Sequence, residues 1–142
     1  MNSDCLFCKI IKGELPSEKV YEDENSYAFL DIHPINVGHT LVVPKRHAEN
    51  IHDIPPVDFC ALMESARKLA SVVKEATGAE GINIGINNGS VAGQIIFHLH
   101  VHIIPRFEDD GHRHWHGEDY KDGEITSIAD RIRHALDKKT TS

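Results

Sequence analysis

Residues 95–104 read IIFHLHVHII, with His98, His100 and His102 at every second position and an apolar residue in each gap. In a strand, residues two apart share a face. The run therefore predicts one strand, ended by Pro105. Ile95, Phe97, Leu99, Val101 and Ile103 form its core face, and the three imidazoles form the other. Solvated strand faces usually carry Thr, Lys, Glu and Ser, so the histidine face is expected to look into a cleft or at another element. Metal ligation, phosphate chemistry and an accidental histidine-rich surface are the competing readings. Over four residues the first and third α-carbons stand about 13 Å apart. Two of the histidines could chelate one ion, but three on a straight strand scarcely converge. Imidazole also supplies a neutral nucleophile near pH 7 and a hydrogen-bond donor for phosphate oxygens. The preceding NNGSVAGQ offers backbone N–H groups and glycines that let the chain bend around an anion. No Walker-type motif, GxGxxG or nucleophile elbow is present.

The rest of the chain predicts an α+β fold: an antiparallel five-stranded sheet with one long helix packed on it. Asp4 is the expected cap of a short helix over Cys5 to Lys12, stopped by Gly13. KVYED and SYAFLDI form a hairpin, GHTLVVP a third strand and GINIGIN a fourth. Phe59, Leu62, Met63, Ala66, Leu69, Ala70 and Val73 keep a helical period from Pro56 to Thr77, and Gly78 is the expected C-cap. Cys60 is expected in the core of that helix. A last amphipathic helix spans about Ile125 to Lys138, with Ile125, Ile128, Ile132 and Leu136 on one side. The 142 residues are expected to form one domain, with its core at about 5–107 and a C-terminal extension at 108–142.

Fifteen basic against twenty-two acidic residues give a net charge of −7, which disfavours binding to nucleic acid or an anionic membrane. No apolar stretch approaches a membrane span. The opening MNSDCLFCKI lacks the pattern of a signal peptide. Three cysteines do not make a disulfide framework. The expected location is the cytoplasm.

Two further clusters need readings. CLFC at 5–8 could be a redox pair, two packed thiols, or half of a Cys2His2 zinc site completed by histidines from elsewhere. HRHWH at 112–116 repeats the alternation without apolar partners, and a loop or a surface metal site both fit it. His33, His39, His52 and His134 carry no pattern and read as incidental.

AGQIIFHLHVHIIPR resembles the signature of the histidine triad superfamily. The resemblance extends through CLFCKIIKGELPSEKVYEDENSYAFLDIHP and GHTLVVPKRH, and is strongest to the nucleotide-binding branch with its bacterial CxxC relatives. It implies a homodimer whose sheets join. It also implies hydrolase or transferase chemistry at the α-phosphate of nucleoside phosphoramidates or related nucleotidyl compounds, through a covalent nucleotidyl-histidine. By this resemblance His100 is the nucleophile, His102 contacts the phosphate and leaving group, and His98 steadies the nucleophile. Asp31 matches the ribose-binding acid. Phe7, Ile10, Leu15 and Ile32 match the base pocket, whose apolar character does not separate AMP-type from GMP-type nucleotides. Asn87, Gly93 and Gln94 match phosphate-side positions, and the loop N–H groups near Gly93 and Gln94 are expected to meet the phosphoryl charge. Structural zinc is implied on Cys5, Cys8, His47 and His98. Many relatives place Ser or Thr after the Gly-Gln, whereas this chain has Ile95 there. Trp115 is a candidate to cover a partner's cleft. A nucleotide-binding regulator with little turnover, a dinucleoside polyphosphate hydrolase and a zinc hydrolase using His98 and His100 are the alternative functions.

Overall fold

In the computed structural model, which describes residues 2–140, the chain divides after Gly111 into two compact units. The first unit holds β1 (Lys19–Glu22), β2 (Ser26–Leu30), β3 (Thr40–Pro44), β4 (Gly81–Ile86) and β5 (Val101–Arg106), together with helices α1 (Leu6–Ile11) and α2 (Pro56–Thr77). All strand pairs are antiparallel, in the order β1-β2-β3-β5-β4. The α+β expectation holds.

Strand parity sets which side chains meet which helix. Ala28, Val42, Val101 and Ile103 point to one face and pack with Leu62, Ala66, Leu69 and Val73 of α2. Tyr27, Phe29, Leu41 and Val43 point to the other and pack with Phe7 and Ile10 of α1. The central strands are therefore buried on both sides. Helix α2 matches its expected span, with Pro56 at its start and Gly78 left-handed at its end. Truncating Leu62, which is fully buried, would cost about 2–5 kcal/mol. Cys60 is exposed rather than in the core. Two residues along a helix is about 200° of rotation, which places Cys60 opposite Leu62.

Helix α1 is capped by Cys5, whose Sγ accepts from the Cys8 N–H at 3.4 Å, and not by Asp4. Strand β5 is shorter than its alternation predicts. It begins at Val101, and Ile95 and Phe97 are 83% and 46% exposed instead of in the core. The ladder to β3 stops at Val42↔Val101. Beyond it the Pro44 carbonyl is taken by the His98 ring at 2.8 Å, and the Leu99 N–H bonds Ala48 O at 2.8 Å. Pro105 lies inside β5, opposite Ile82, rather than after it. The pairing of β5 with β3 has already ended at Thr40↔Ile103, so one flank is open and a missing N–H is tolerated there.

In the second unit His112 to His116 lie outside regular secondary structure and are exposed, and Trp115 is among the most exposed residues. Helix α3 spans Glu124–Thr140, with Glu124 in its first turn and Lys138 and Lys139 in its last, charges that suit the helix dipole. Ile125, Ile132 and Leu136 are exposed along it. Among the described residues no helix is long and apolar enough to cross a membrane.

Candidate active site and metal centre

His98, His100 and His102 go to two places. His98 turns toward α1. Its Nδ1 lies 3.4 Å from Cys5 Sγ, 3.5 Å from Cys8 Sγ and 3.2 Å from His47 Nδ1, and Cys8 Sγ lies 3.5 Å from that same His47 atom. These four donor atoms lie within 4.8 Å of one another. A zinc tetrahedron with bonds of about 2.0–2.1 Å to nitrogen and 2.3 Å to sulfur has edges of about 3.4–3.8 Å, close to this spacing. The His98 Nε2–H donates to Pro44 O at 2.8 Å, so Nδ1 keeps its lone pair toward the cluster. Burial pushes His98 down to about 4, which keeps it in the neutral, ligating form. The donor set fits a closed four-coordinate metal site.

His100 and His102 instead line a cleft of about 570 Å³ on the other side of the sheet from α2. His102 pairs with Leu41 across the ladder and so shares the α1 face. Phe7, Ile10, Leu15, Asp31, Ile32 and Gly93 also line the cleft. The Phe7 ring stands edge-on to His100, with centroids 5.2 Å apart. Phe7 lies between the two cysteines in the chain, so the cluster that fixes Cys5 and Cys8 also fixes this wall.

Hydrogen bonds fix the tautomers of both cleft histidines. His100 Nδ1–H donates to the His98 carbonyl at 2.7 Å, which leaves Nε2 with a free lone pair. Burial holds His100 below the usual histidine range, so that lone pair is present at neutral pH. The Ile35 N–H donates to His39 Nδ1 at 3.1 Å. His39 therefore carries its proton on Nε2, which faces His102 Nδ1 at 2.9 Å. His102 in turn carries its proton on Nε2. That buried Nε2 has no partner among the described residues. Two neighbouring rings that line the cleft, with centroids 4.9 Å apart, thus carry one unprotonated nitrogen and one N–H donor.

His39 reads as incidental in the sequence, yet in the structure it bonds His102. It is 2% exposed and orients His102. Gly38 before it has φ +100, and a Cβ there would meet Thr77 Cγ2 at 2.5 Å. Asp31, His39 and His102 also gather three donor atoms, with His39 Nε2 and Asp31 Oδ2 3.7 Å apart. The proton on His39 Nε2 occupies the lone pair a metal would need, so this set is a hydrogen-bond chain.

The phosphate-side positions are placed differently from one another. Asn87 sits against Gly93, where a Cβ would lie 3.3 Å from Asn87 Nδ2 and φ is +99. Gln94 is buried and structural: Oε1 accepts from the Gly89 N–H, and Nε2 donates to Glu49 O and Ile96 O. The N–H groups of Gly93 and Gln94 bond Ser90 O and Gly89 O at 3.0 and 3.1 Å. The expectation that they meet a phosphate is corrected, because the loop's own turn consumes them.

The sequence profile of the HIT domain matches residues 12–109. The chain belongs to the HIT domain family. Among its HIT relatives, the adenosine 5′-monophosphoramidase of Saccharomyces cerevisiae is 43% identical over 109 residues, covering 77% of this chain and 66% of that protein. The adenylylsulfatase of Arabidopsis thaliana is 43% identical over 110 residues, covering 78% of this chain and 56% of the plant protein. A zinc-bound histidine triad family protein of Mycobacterium smegmatis superposes with a TM-score of 0.74 at 34% identity, covering 93% of this chain and 97% of that one. In this HIT chain the cleft and the Cys-His cluster are built from residues around the histidine run, and His98 belongs to the cluster.

Proposed function

We propose that this HIT protein is a nucleotidyl hydrolase acting at the α-phosphate of nucleoside phosphoramidates. The observation that carries the reading is the pair of opposed tautomers: a His100 Nε2 lone pair and a His102 Nε2–H on neighbouring rings that line one cleft. The relatives' names, an adenosine 5′-monophosphoramidase and an adenylylsulfatase, support the same chemistry.

The nucleotide base lies among Phe7, Ile10, Leu15 and Ile32, and Asp31 accepts hydrogen bonds from the ribose hydroxyls. His100 Nε2 attacks phosphorus and the P–N bond breaks. The amine leaves with a proton from solvent, while His102 Nε2–H steadies the phosphoryl charge. Water then attacks the nucleotidyl-histidine, restoring His100 and releasing the nucleotide and a proton. One water is consumed overall.

Zinc on Cys5, Cys8, His47 and His98 is structural in this reading, tying α1 to the triad and leaving no open coordination position. A zinc hydrolase using His98 and His100 together has no support, since His100 lies outside the donor set. The protein works as a homodimer in the cytoplasm; β4 is an edge strand and needs a partner or cover. Light scattering giving the mass of one chain would refute the dimer. The activity is tested with a fluorogenic nucleoside phosphoramidate, which the wild type hydrolyses and His100→Asn does not. Full chelation of the wild type, with the protein still folded, should lower hydrolysis without abolishing it, because the metal holds the cleft wall and does not touch the substrate.

A further inference from the structure

We infer that Asn36 is a positioning residue for the reaction, and that through His39 it keeps the His102 proton on Nε2. The inference rests on the hydrolase reading above and extends its machinery to the far end of β5.

The His102 tautomer depends on a chain of two bonds. The Ile35 N–H donates to His39 Nδ1 at 3.1 Å, and His39 Nε2 faces His102 Nδ1 at 2.9 Å. The main chain of His39 is tied to β2, since the Asp31 N–H donates to its carbonyl at 2.9 Å. Ile35 instead lies in the loop that joins β2 to β3, where Ile32 and Val37 are exposed. What holds that loop decides where the Ile35 N–H points.

Asn36 supplies the hold. Its side-chain amide has two N–H donors. They go to Pro105 O at 2.8 Å and to Asp110 Oδ2 at 2.9 Å. Its carbonyl accepts from the His39 N–H at 3.0 Å. The β3–β5 ladder ends at Thr40↔Ile103, so beyond it this side chain joins the loop to β5 as a further rung would. Asp110 is itself fixed. Its side chain is 4% exposed and accepts from Arg106 Nε at 2.7 Å and from the Phe107 N–H at 3.1 Å. Pro105 and Arg106 belong to β5, the strand that carries His102. The loop that orients the His39 ring is thus fastened to the strand that bears its partner.

Loss of that fastening reverses the chain. With the Ile35 N–H withdrawn, His39 can carry its proton on Nδ1 and turn a lone pair on Nε2 toward His102. His102 then donates from Nδ1, and its Nε2 loses the proton that meets the phosphoryl charge. Asp31 keeps its own bond to His39 O, so nucleotide affinity is spared.

The test compares Asn36→Ala with wild type by nitrogen NMR of isotope-labelled histidine at neutral pH, alongside hydrolysis of a nucleoside phosphoramidate. Wild type should show His102 protonated on Nε2. Asn36→Ala should show a share of His102 protonated on Nδ1. Its kcat should fall by about tenfold to a hundredfold, with the AMP dissociation constant within about twofold of wild type. Asp110→Asn leaves the loop sequence intact. It should shift tautomer and kcat in the same direction by less, and it carries the test if Asn36→Ala does not fold. A His102 proton that stays on Nε2 in the variant, or a raised KM with kcat unchanged, overturns the inference and leaves the hydrolase reading standing. Wild type that hydrolyses no phosphoramidate overturns that reading and the inference with it.

Discussion

His100 Nδ1 donates its proton to the carbonyl oxygen of His98 at 2.7 Å. The backbone of a residue whose side chain belongs to the Cys-His cluster thereby sets the tautomer of the proposed nucleophile. The cluster and the His100 ring share one dipeptide step, and Phe7, which lies between Cys5 and Cys8 in the chain, packs on the same ring.

That linkage makes metal loss a structural event with catalytic consequences. One zinc per chain is expected in protein purified without a histidine tag, read by elemental analysis. Helix α1 has six residues, too few to persist alone, so Cys8→Ser or chelation should lower the unfolding free energy by several kcal/mol and weaken nucleotide binding. Metal below about a tenth of an equivalent in metal-replete protein, or an unchanged melting temperature after stripping, would contradict the assignment.

His39 should matter to turnover and little to affinity. His39→Phe removes the donor that keeps the His102 proton on Nε2, and should lower kcat by about a hundredfold while the AMP dissociation constant stays within about twofold. The rise in KM expected of a residue that merely shapes the pocket would argue against this role.

The histidine run shows where sequence reading succeeded and where it stopped. Leu99, Val101 and Ile103 are core and His102 faces the cleft, as alternation requires. The pattern could not show that the ladder ends at Val101, because the competing bond, His98 to Pro44 O, joins residues fifty-four positions apart. Ile95 and Phe97 consequently lie outside the predicted core. Helix α2 was legible throughout because its signals are local: Pro56, the apolar period and Gly78. For His39 the signal lies in strand parity. It shares parity with Leu41 and Val43, which line the α1 face, so a histidine there points the same way. The turn that consumes the Gly93 and Gln94 N–H groups has no signature beyond its glycines.

Asp31→Ala should weaken AMP binding by about 1.5–3 kcal/mol, the usual worth of hydrogen bonds to a charged group. Its Oδ1 already accepts from the His33 N–H at 2.9 Å, which orients the carboxylate beside the cleft. Calorimetry with AMP measures the effect, and an unchanged dissociation constant would remove Asp31 from the site.

Burial, with His100 and His39 nearby, pushes His102 down to about 4, against an ordinary value near 6.5. Between these values the folded chain binds fewer protons than the unfolded one. The neutral ring's contribution to stability is therefore complete above about pH 6.5 and is lost as pH falls toward 4. Its slope is at most about 1.4 kcal/mol per pH unit. Urea unfolding from pH 7 to pH 5 should show a shallower loss for His102→Asn than for wild type. Parallel curves would mean that His102 is not held neutral by the fold.

The most direct test of the account is to trap the intermediate. Wild-type protein mixed with excess nucleoside phosphoramidate, quenched during turnover and digested under conditions that spare phosphohistidine, should yield a peptide containing His100 heavier by one nucleotidyl group. His100→Asn should yield none and should not hydrolyse the substrate, though it still binds AMP. An adduct on another residue, or hydrolysis by His100→Asn at the wild-type rate, would contradict the account.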